Sequence, residues 1–234
     1  MFGQRWCEMA IAVMFLTGSA IAADQKDEPP KPAPKDAIVL FDGNNVKLED
    51  WQSMRGGKAA EWKVENGHME CVPGKGDIMT KKVFGPDFQL HVEFWIPLMP
   101  NARGQARGNS GVYLQGRYEI QVLDSYMNET YPKGVCGALY GIIAPSKNAS
   151  KPPEQWQTYD ITFKGPRVDE KGKVTKPGEL TVVHNGVTII DKGQFDNVTG
   201  GALDNKIGQP GPLRLQDHGN KVRFRNIWIK PLGG

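Results

Sequence analysis

The sequence predicts an all-β protein, a sandwich or jelly roll of antiparallel strands. Three observations lead to this prediction. From residue 37 onward apolar and polar residues alternate with a period of two, short Gly-rich turns separate the alternating segments, and no segment has a long helical period. A parallel α/β fold would need helices between its strands. The range 37–234 is long enough for one large core, so we expect a single domain there.

The strands follow from local patterns, beginning with two hairpins. Asn66-Gly67 and Asn185-Gly186 each separate two β-prone segments, and Asn-Gly is the strongest short hairpin signal. These hairpins pair 61–64 with 68–72 and 180–183 with 187–190. The other predicted strands are 88–96, 112–115, 118–123, 159–163, 213–216 and 222–229, with a short helix or turn near 137–141.

Alternation also sorts the side chains into two faces. If Phe88, Leu90, Val92, Phe94 and Ile96 fill the core, the opposite face carries Gln89, His91, Glu93 and Trp95. By the same rule further strands present Tyr113, Gln115, Glu119, Gln121, Arg214 and Gln216. Adjacent strands would form one polar, aromatic face, suited to sugars because amides and carboxylates bind hydroxyls and rings cover pyranose faces. The alternative is an ordinary solvated face, although its scarcity of Lys favours ligand binding.

Two loops carry further candidate groups. His218 follows Asp217 at a strand end, where an imidazole can be a general base, a metal ligand or a turn residue. Asp124 ends a central strand, where it can cap a turn or bind substrate. His91 can also be a partly buried histidine satisfied by a neighbour, and Trp156 either stacks on a ligand or belongs to the core. The motifs of serine hydrolases, phosphate loops and dinucleotide sites are absent.

The N-terminal segment reads as an export signal followed by a linker. Arg5 precedes an apolar run, and Ala20-Ile21-Ala22 fits a signal peptidase site, so residues 1–22 are predicted to be a signal peptide. A membrane anchor is the alternative, but the run is short for a span. Residues 23–36 are rich in Pro and charge, which predicts an extended or flexible linker. The chain is therefore expected to be secreted or periplasmic.

Charge and cysteine content narrow the classes further. The net charge of +3 is small and scattered, which argues against a nucleic-acid partner. No later stretch is apolar enough to cross a membrane. Cys71 and Cys136 could form a disulfide or remain buried thiols, and neither has a neighbour at zinc-site spacing. The sequence does not fix the oligomeric state.

Several strings together resemble the 3-keto-disaccharide hydrolase domain family over about residues 38–231. They are LFDG at 40–43, WKVENG at 62–67, NSGVYLQG at 109–116, YEIQVLD at 118–124, GALYG at 137–141, WQTYD at 156–160, PLRLQDHG at 212–219 and VRFRNI at 222–227. The resemblance implies a concanavalin- or laminarinase-like jelly roll of two antiparallel sheets. It also implies cleavage of glycosides oxidised at carbon 3, by hydrolysis or by elimination and hydration.

The resemblance assigns roles only as hypotheses. His218 is the first candidate base and Glu119 the second, and Arg214 or a bound divalent cation would stabilise an enolate. The hydroxyls of a sugar would be held by Glu93, Tyr113, Gln115, Gln121 and Asp124. The alternatives are a non-catalytic carbohydrate-binding module on the same scaffold and a tethered cell-surface interaction protein.

Overall fold

The computed structural model describes residues 29–44 and 48–233 as a sandwich of two antiparallel sheets in the jelly-roll class. Within these residues the only helical elements are two 3₁₀ turns, Gly104–Ala106 and Pro132–Gly134. The all-β prediction is therefore confirmed. Of the predicted helix or turn near 137–141 the structure has turns, at 136–137 and 140–142, and Leu139 between them forms single β-bridges to Ile120 and Ile143.

Strands are numbered β1 to β15 along the chain. The larger sheet has the order β13-β12-β9-β6-β15-β4-β3, and β1 also pairs with β15. Its strands are β1 (Ile38–Phe41), β3 (Lys63–Glu65), β4 (His68–Glu70), β6 (Asp87–Trp95), β9 (Trp156–Lys164), β12 (Gly178–His184), β13 (Val187–Phe195) and β15 (Arg223–Pro231).

The smaller sheet has five strands in the order β2-β5-β14-β7-β8. They are β2 (Trp51–Ser53), β5 (Ile78–Phe84), β14 (Gly211–Leu215), β7 (Asn109–Leu114) and β8 (Tyr118–Leu123). A separate two-stranded ribbon consists of β10 (Arg167–Val168) and β11 (Val174–Lys176).

Both Asn-Gly hairpins form as predicted. Asn66 and Gly67 have φ values of 48° and 75°, and Asn185 and Gly186 have φ values of 50° and 77°. Two consecutive residues with positive φ are the signature of a type I′ turn, whose twist matches that of the flanking strands. The turns therefore fix the registers of β3 with β4 and of β12 with β13.

The core lies between the two sheets, where alternate side chains of each strand meet. Phe88, Leu90, Val92 and Phe94 of β6 are buried as the alternation predicts. The facing sheet contributes Val112 and Leu114 of β7 and Ile120 and Val122 of β8. Burial of these apolar faces is the main stabilising contribution to such a sandwich.

The expectation of one continuous polar face is wrong. Strand β6 lies in the larger sheet, whereas β7, β8 and β14 lie in the smaller one, so their polar faces point away from the core in opposite directions. Glu93 is consequently separated from Tyr113 and Glu119 by the whole core. Alternation assigned Glu93, Tyr113 and Glu119 to the correct side of their strands but could not identify the sheet.

The end of the predicted linker packs on the larger sheet. The backbone N–H of Lys31 donates to Glu93 Oε1 at 3.2 Å, and the Asn226 side-chain amide donates to the Lys31 carbonyl at 2.7 Å. Residues 29–36 form no helix or strand, and the predicted Pro-rich linker contacts the sheet at Lys31. The predicted signal peptide, 1–22, lies outside the described residues. Within the described ranges, no helix is long and apolar enough to span a membrane.

Cys71 and Cys136 are separate buried thiols and do not form a disulfide with each other. The Cys71 thiol lies 3.4 Å from Asp217 Oδ1, and the Cys136 sulfur lies 2.9 Å from the Tyr159 hydroxyl. Each thiol has its own polar neighbour in a different part of the sandwich. Of the two alternatives that the sequence left open, the structure has the buried thiols.

Candidate active site

A pocket of about 230 Å³ opens on the outer face of the smaller sheet. Antiparallel pairing places Tyr113 of β7 opposite Glu119 of β8 and opposite Arg214 of β14. The loops around 140, 200 and 218 complete the wall. The residues that line the pocket are Asn109, Tyr113, Glu119, Gln121, Tyr140, Gly200, Gly201, Gln216 and His218.

Glu119 is the central ionisable group of this pocket. Its side chain is almost fully buried, and the Tyr113 hydroxyl donates to Glu119 Oε2 at 2.8 Å. Burial raises the pKa of Glu119 to about 7, against the opposing effects of the Tyr113 hydrogen bond and the positive charge of Arg214. A carboxyl group with such a pKa can both accept and release a proton near neutral pH.

The Glu119 carboxylate fits beside the backbone of β7 because residue 111 is glycine. A Cβ at Gly111 would lie 2.4 Å from Glu119 Oε1, closer than any real contact. Gly201 has a similar relation to the other partner, since a Cβ there would lie 2.8 Å from the Tyr113 hydroxyl. These two glycines give the Tyr113–Glu119 pair the space that it occupies.

Arg214 contacts the Tyr113–Glu119 pair through the Tyr113 ring. Its guanidinium carbon lies 3.5 Å from the centre of the Tyr113 ring, a cation–π arrangement, and its Nη2 donates to the Gly201 carbonyl at 2.6 Å. Asp77 Oδ2 lies 3.4 Å from Arg214 Nε and supplies the counter-charge. Burial raises the pKa of Asp77, although hydrogen bonding and Arg214 oppose the rise.

Two amide oxygens in the pocket are buried without a hydrogen-bond partner among the described residues. They are Gln121 Oε1 and Gln216 Oε1. The amide nitrogens of the same side chains are fixed, because Gln121 Nε2 donates to Gln105 at 2.9 Å and Gln216 Nε2 donates to the Tyr113 hydroxyl at 3.2 Å. Buried acceptors of this kind are expected to have a partner, which a ligand hydroxyl can supply.

His218 lies at the exposed rim of the pocket. The carboxylate of neighbouring Asp217 accepts hydrogen bonds from the backbone N–H groups of Gly74, Gly76 and Gly219, at 2.8, 2.8 and 2.9 Å. Asp217 therefore organises the loops around the rim. The sequence places His218 beside the Asp217 carboxylate, and the structure gives that carboxylate a structural role.

Two comparisons place this architecture among known proteins. The family model described as the 3-keto-alpha-glucoside-1,2-lyase-like domain matches residues 36–230. The chain belongs to this family. The resemblance identified from the sequence is therefore confirmed, and the matched range contains every lining residue of the pocket. A comparison with curated proteins found no match.

Solved structures from the bacterium Parabacteroides distasonis ATCC 8503 are similar to this member of the lyase-like family. One candidate glycosyl hydrolase is 38% identical with a TM-score of 0.79, over 94% of this chain and 100% of its own. A second, at 22% identity and a TM-score of 0.60, covers 84% of this chain and 94% of its own. A third is 21% identical with a TM-score of 0.58, and the match covers 84% of this chain and 99% of its own. The second and third support the fold alone.

The structure of this lyase-like domain brings together five of the predicted site residues. Tyr113, Glu119, Gln121 and His218 line the pocket, and Arg214 contacts Tyr113. The other three predicted residues lie elsewhere and have structural partners. They are Glu93, Gln115 and Asp124.

Glu93 belongs to the outer face of the larger sheet. Arg225 Nε donates to it at 2.6 Å and Asn226 Nδ2 at 2.8 Å. Burial opposes ionisation of Glu93, but the nearby His91 imidazole and the hydrogen bonds from Asn226 and Arg225 outweigh it and lower the pKa to about 2. Glu93 therefore stays ionised as part of a packed ionic cluster, and the structure removes it from the predicted sugar site.

Gln115 and Asp124 stabilise turns. Gln115 has a positive φ of 51°, which takes its side chain off the strand face, and Nε2 donates to the Phe84 and Gly85 carbonyls at 3.2 and 2.8 Å. Asp124 Oδ2 lies 2.8 Å from Arg107 Nε. The predicted substrate contacts of both residues are replaced by these contacts, because both strands end before reaching them.

Two other residues with open roles lie on the larger sheet. His91 stacks on Trp228 with ring centres 5.2 Å apart, and its Nδ1 lies 2.8 Å from Asp160, which matches the satisfied buried histidine. Trp156 belongs to neither the core nor the pocket, since it is half-buried on the outer face with Arg225 at 4.1 Å from its ring.

Several site residues were not predicted. Asn109 and Tyr140 lie inside the family strings, and Gly200-Gly201 is a visible double glycine, so a signal existed for them. No sequence signal indicated Asp77, because it comes close to Arg214 only through the pairing of β5 with β14. Long-range pairing of this kind is not encoded in a local pattern.

Among the described residues, the pocket contains no group of three His, Cys, Asp or Glu side chains close enough to share an ion. Within the described part of the chain, the one group of three His, Cys, Asp or Glu side chains close enough to share an ion is Glu65, His68 and Glu70. That group belongs to the β3–β4 hairpin of the larger sheet, and its carboxylates already pair with Lys63 and Arg223.

Proposed function

We propose that this protein cleaves glycosides that carry a ketone at carbon 3 of the sugar, and that it does so by elimination. The observation that carries the proposal is Glu119, a buried carboxyl with a pKa of about 7 inside a small polar pocket. The family description and the 38% identical candidate glycosyl hydrolase support glycoside processing in general.

The chemistry needs a base of this strength. A ketone at carbon 3 acidifies the hydrogen on carbon 2, and the Glu119 carboxylate removes that proton. The electron pair of the C2–H bond first forms the enolate, and it then forms the C1–C2 double bond as the bond from carbon 1 to the leaving oxygen breaks. The products are an unsaturated 3-keto sugar and the free alcohol, and addition of water to the double bond would complete a net hydrolysis.

His218 is the proposed proton donor to the leaving oxygen. Glu119 is buried and His218 is at the exposed rim, so a sugar bound between them would have one proton-transfer group on each side. A proton given by His218 to the glycosidic oxygen as the bond to carbon 1 breaks would release the leaving group as the neutral alcohol. This assignment reverses the order expected from the sequence, where His218 was the first candidate base.

The remaining pocket groups suit sugar binding. The amide oxygens of Gln121 and Gln216 accept hydrogen bonds from hydroxyls, and Arg214 places a positive charge behind Tyr113 where negative charge develops. The volume of about 230 Å³ is below the roughly 300–1,000 Å³ of typical ligand clefts. It therefore favours a single sugar ring over an oligosaccharide.

The decisive experiment compares matched 3-keto and unoxidised glucosides. We expect release of the alcohol from the 3-keto substrate alone, and deuterium at carbon 2 of the hydrated product when the reaction is run in heavy water. The value of kcat/KM should fall as pH drops below about 7, because Glu119 must be ionised to act as a base. Glu119→Gln should lower turnover by at least about hundred-fold.

Glu61→Gln is a suitable control, since Glu61 is an exposed carboxylate paired with Lys75. Equal activity on both glucosides, or full activity of Glu119→Gln, would refute the proposal. Binding without turnover would instead support a carbohydrate-binding module. We also propose, from residues 1–22 alone, that the protein acts outside the cytoplasm, which N-terminal sequencing of the exported form would test.

A further inference from the structure

A histidine and two glutamates meet on the outer face of the larger sheet. Glu65 ends β3, and the tight Asn66-Gly67 turn places it directly opposite His68 of β4. His68 and Glu70 are two residues apart on one strand and therefore point to the same side. Met69, between them, points into the core and is fully buried. The three polar side chains thus lie on the side of the sandwich away from the pocket.

The ligand atoms of these side chains are close enough to share one ion. One ring nitrogen of His68 and one carboxylate oxygen each of Glu65 and Glu70 all lie within 4.8 Å of one another. Bonds of about 2.0–2.2 Å to a tetrahedral ion would put the ligand atoms about 3.4 Å apart. Small side-chain movements would therefore complete the set.

The His68 imidazole is buried but lacks a hydrogen bond at one nitrogen. His68 is only 6% exposed, and the Trp156 ring packs against it edge-on with ring centres 6.0 Å apart. His68 Nε2 is buried and has no hydrogen-bond partner among the residues that the structure describes. Buried polar atoms are expected to have a partner. Because a nitrogen of this ring lies close to both carboxylates, an ion among the three side chains would supply one.

We propose that Glu65, His68 and Glu70 bind a divalent transition-metal ion, and that the ion their donor set favours is Zn²⁺. Imidazole is a good ligand for zinc and its neighbours in the first transition row, whereas Ca²⁺ and Mg²⁺ are bound by oxygen alone. Three protein ligands leave the fourth position of a tetrahedral zinc to water. The site is separate from the pocket and does not depend on the proposed function.

The ion pairs of the two carboxylates are compatible with this role. Lys63 Nζ lies 2.7 Å from Glu65 Oε1, and Arg223 Nε donates to Glu70 Oε2 at 2.7 Å. Each carboxylate has a second oxygen that can bind the ion, and metal-binding carboxylates are usually hydrogen-bonded in this way. The two positive charges oppose a cation, but both side chains are partly exposed, so solvent screens the repulsion.

The position of the site indicates what the ion would do. Among the described strands β3 is at the edge of the larger sheet, and β4 pairs with β15 at two positions, Arg223 with Glu70 and Phe224 with Met69. An ion held by Glu65 and by two residues of β4 would link the edge strand to its neighbour. Zinc would therefore stabilise the β3–β4 hairpin against opening.

The test measures metal binding by the full-length protein, without an affinity tag and after treatment with a chelator. Titration calorimetry should give one equivalent of bound Zn²⁺, and Zn²⁺ should raise the melting temperature. Co²⁺ should occupy the same site and give visible absorption bands that Zn²⁺ abolishes. Ca²⁺ should bind far more weakly.

Two variants locate the ion. Glu65→Gln removes a partly exposed ligand, and His68→Phe removes the ring nitrogens while it keeps an aromatic ring beside Trp156. We expect each to weaken Zn²⁺ binding at least about tenfold, because loss of an outer-shell partner alone costs about 10–100-fold. Glu179→Gln is the matched control, since Glu179 is also a partly exposed carboxylate of the larger sheet paired with a lysine, Lys164. It should bind Zn²⁺ like the wild type.

Several results would overturn the site. They are absence of Zn²⁺ binding to the wild type, Ca²⁺ binding as tight as Zn²⁺ binding, and Zn²⁺ binding that survives Glu65→Gln or a folded His68→Phe. Loss of binding in His218→Gln with unchanged binding in Glu65→Gln would place the ion at the pocket rim instead. If His68→Phe does not fold, Glu65→Gln decides. None of these results bears on the cleavage of 3-keto-glucosides, so the two proposals fail separately.

Discussion

At the scale of single residues, Glu119 illustrates how burial sets chemistry. The alternation along β8 predicted which face of the sheet carries Glu119. On a solvent-exposed face its carboxyl group would have an ordinary pKa. The structure instead covers it with Tyr113 and the loop at 200–201, so that desolvation raises its pKa to about 7. The covering loop comes from far along the chain, which is why the sequence indicated the residue but not its proton affinity.

This raised pKa predicts a stability cost that Glu119→Gln should remove. The folded value of about 7 exceeds the ordinary 4.5, so the neutral carboxyl stabilises the fold below pH 4.5 and that contribution is lost as pH rises through 7. We expect Glu119→Gln to increase the free energy of unfolding at pH 8 by up to about 3 kcal/mol, with no gain at pH 4.5. Urea unfolding of both proteins at pH 8 and pH 4.5 measures the difference in the free energy of unfolding. A gain that is independent of pH would contradict the prediction.

His218 has a kinetic test that separates an acid from a structural residue. Protonation of the leaving oxygen matters most for a poor leaving group and least for nitrophenolate. We expect His218→Gln to lower kcat about hundred-fold for a 3-keto-disaccharide and less than about tenfold for a 3-keto nitrophenyl glucoside. The measurement is kcat on both substrates with wild-type and variant enzyme. A loss of the same size on both would assign His218 to binding or loop structure.

At the scale of elements, strand pairs joined by a local turn signal were predicted correctly, whereas strand pairs between distant parts of the chain were not. The β3–β4 and β12–β13 hairpins were predictable because Asn-Gly fixes the turn without help from the rest of the chain. The neighbours of β14 could not be predicted in this way, since β5 and β7 are far from it in the sequence. Glu93 was assigned to the sugar site for this reason: its side of β6 was correct, and its sheet was not.

The cysteines give a prediction at the same scale, because they lie in separate elements. Cys71 follows β4, and Cys136 lies between β8 and β9. Burial raises the pKa of both thiols, so they should react slowly in the folded protein at pH 8. For a chain that starts at residue 23, thiol titration should count two thiols after unfolding without reductant. A count of zero, or a lower melting temperature on reduction, would mean that a disulfide exists.

At the scale of the whole molecule, the core separates two ionic systems with different roles. The outer face of the larger sheet carries Glu93 with Arg225 and Asn226, and the N-terminal segment packs over it through Lys31. The outer face of the smaller sheet carries the pocket. Stability and the proposed catalysis are therefore expected to depend on different carboxylates on opposite sides of the sandwich.

Glu93→Gln tests this separation against Glu119→Gln. Glu93 is buried with an Arg225 side chain that is only 15% exposed, so loss of its charge should cost about 3–5 kcal/mol at pH 7. Its folded pKa of about 2 lies below the ordinary 4.5, so its contribution is present above pH 4.5 and is lost as pH falls toward 2. The deficit of Glu93→Gln should therefore shrink in acid, whereas the gain of Glu119→Gln grows toward pH 8.

The double variant completes the test. Because the two side chains lie on opposite faces and share no partner, their effects on the free energy of unfolding should add to within about 0.5 kcal/mol. At a temperature where it is fully folded, Glu93→Gln should retain wild-type kcat/KM on a 3-keto-glucoside, and Glu119→Gln should not. Urea unfolding and initial rates on all four proteins give both quantities. Strong coupling of the two stabilities, or a folded Glu93→Gln that has lost turnover, would show that the core transmits between the faces and that Glu93 supports the pocket.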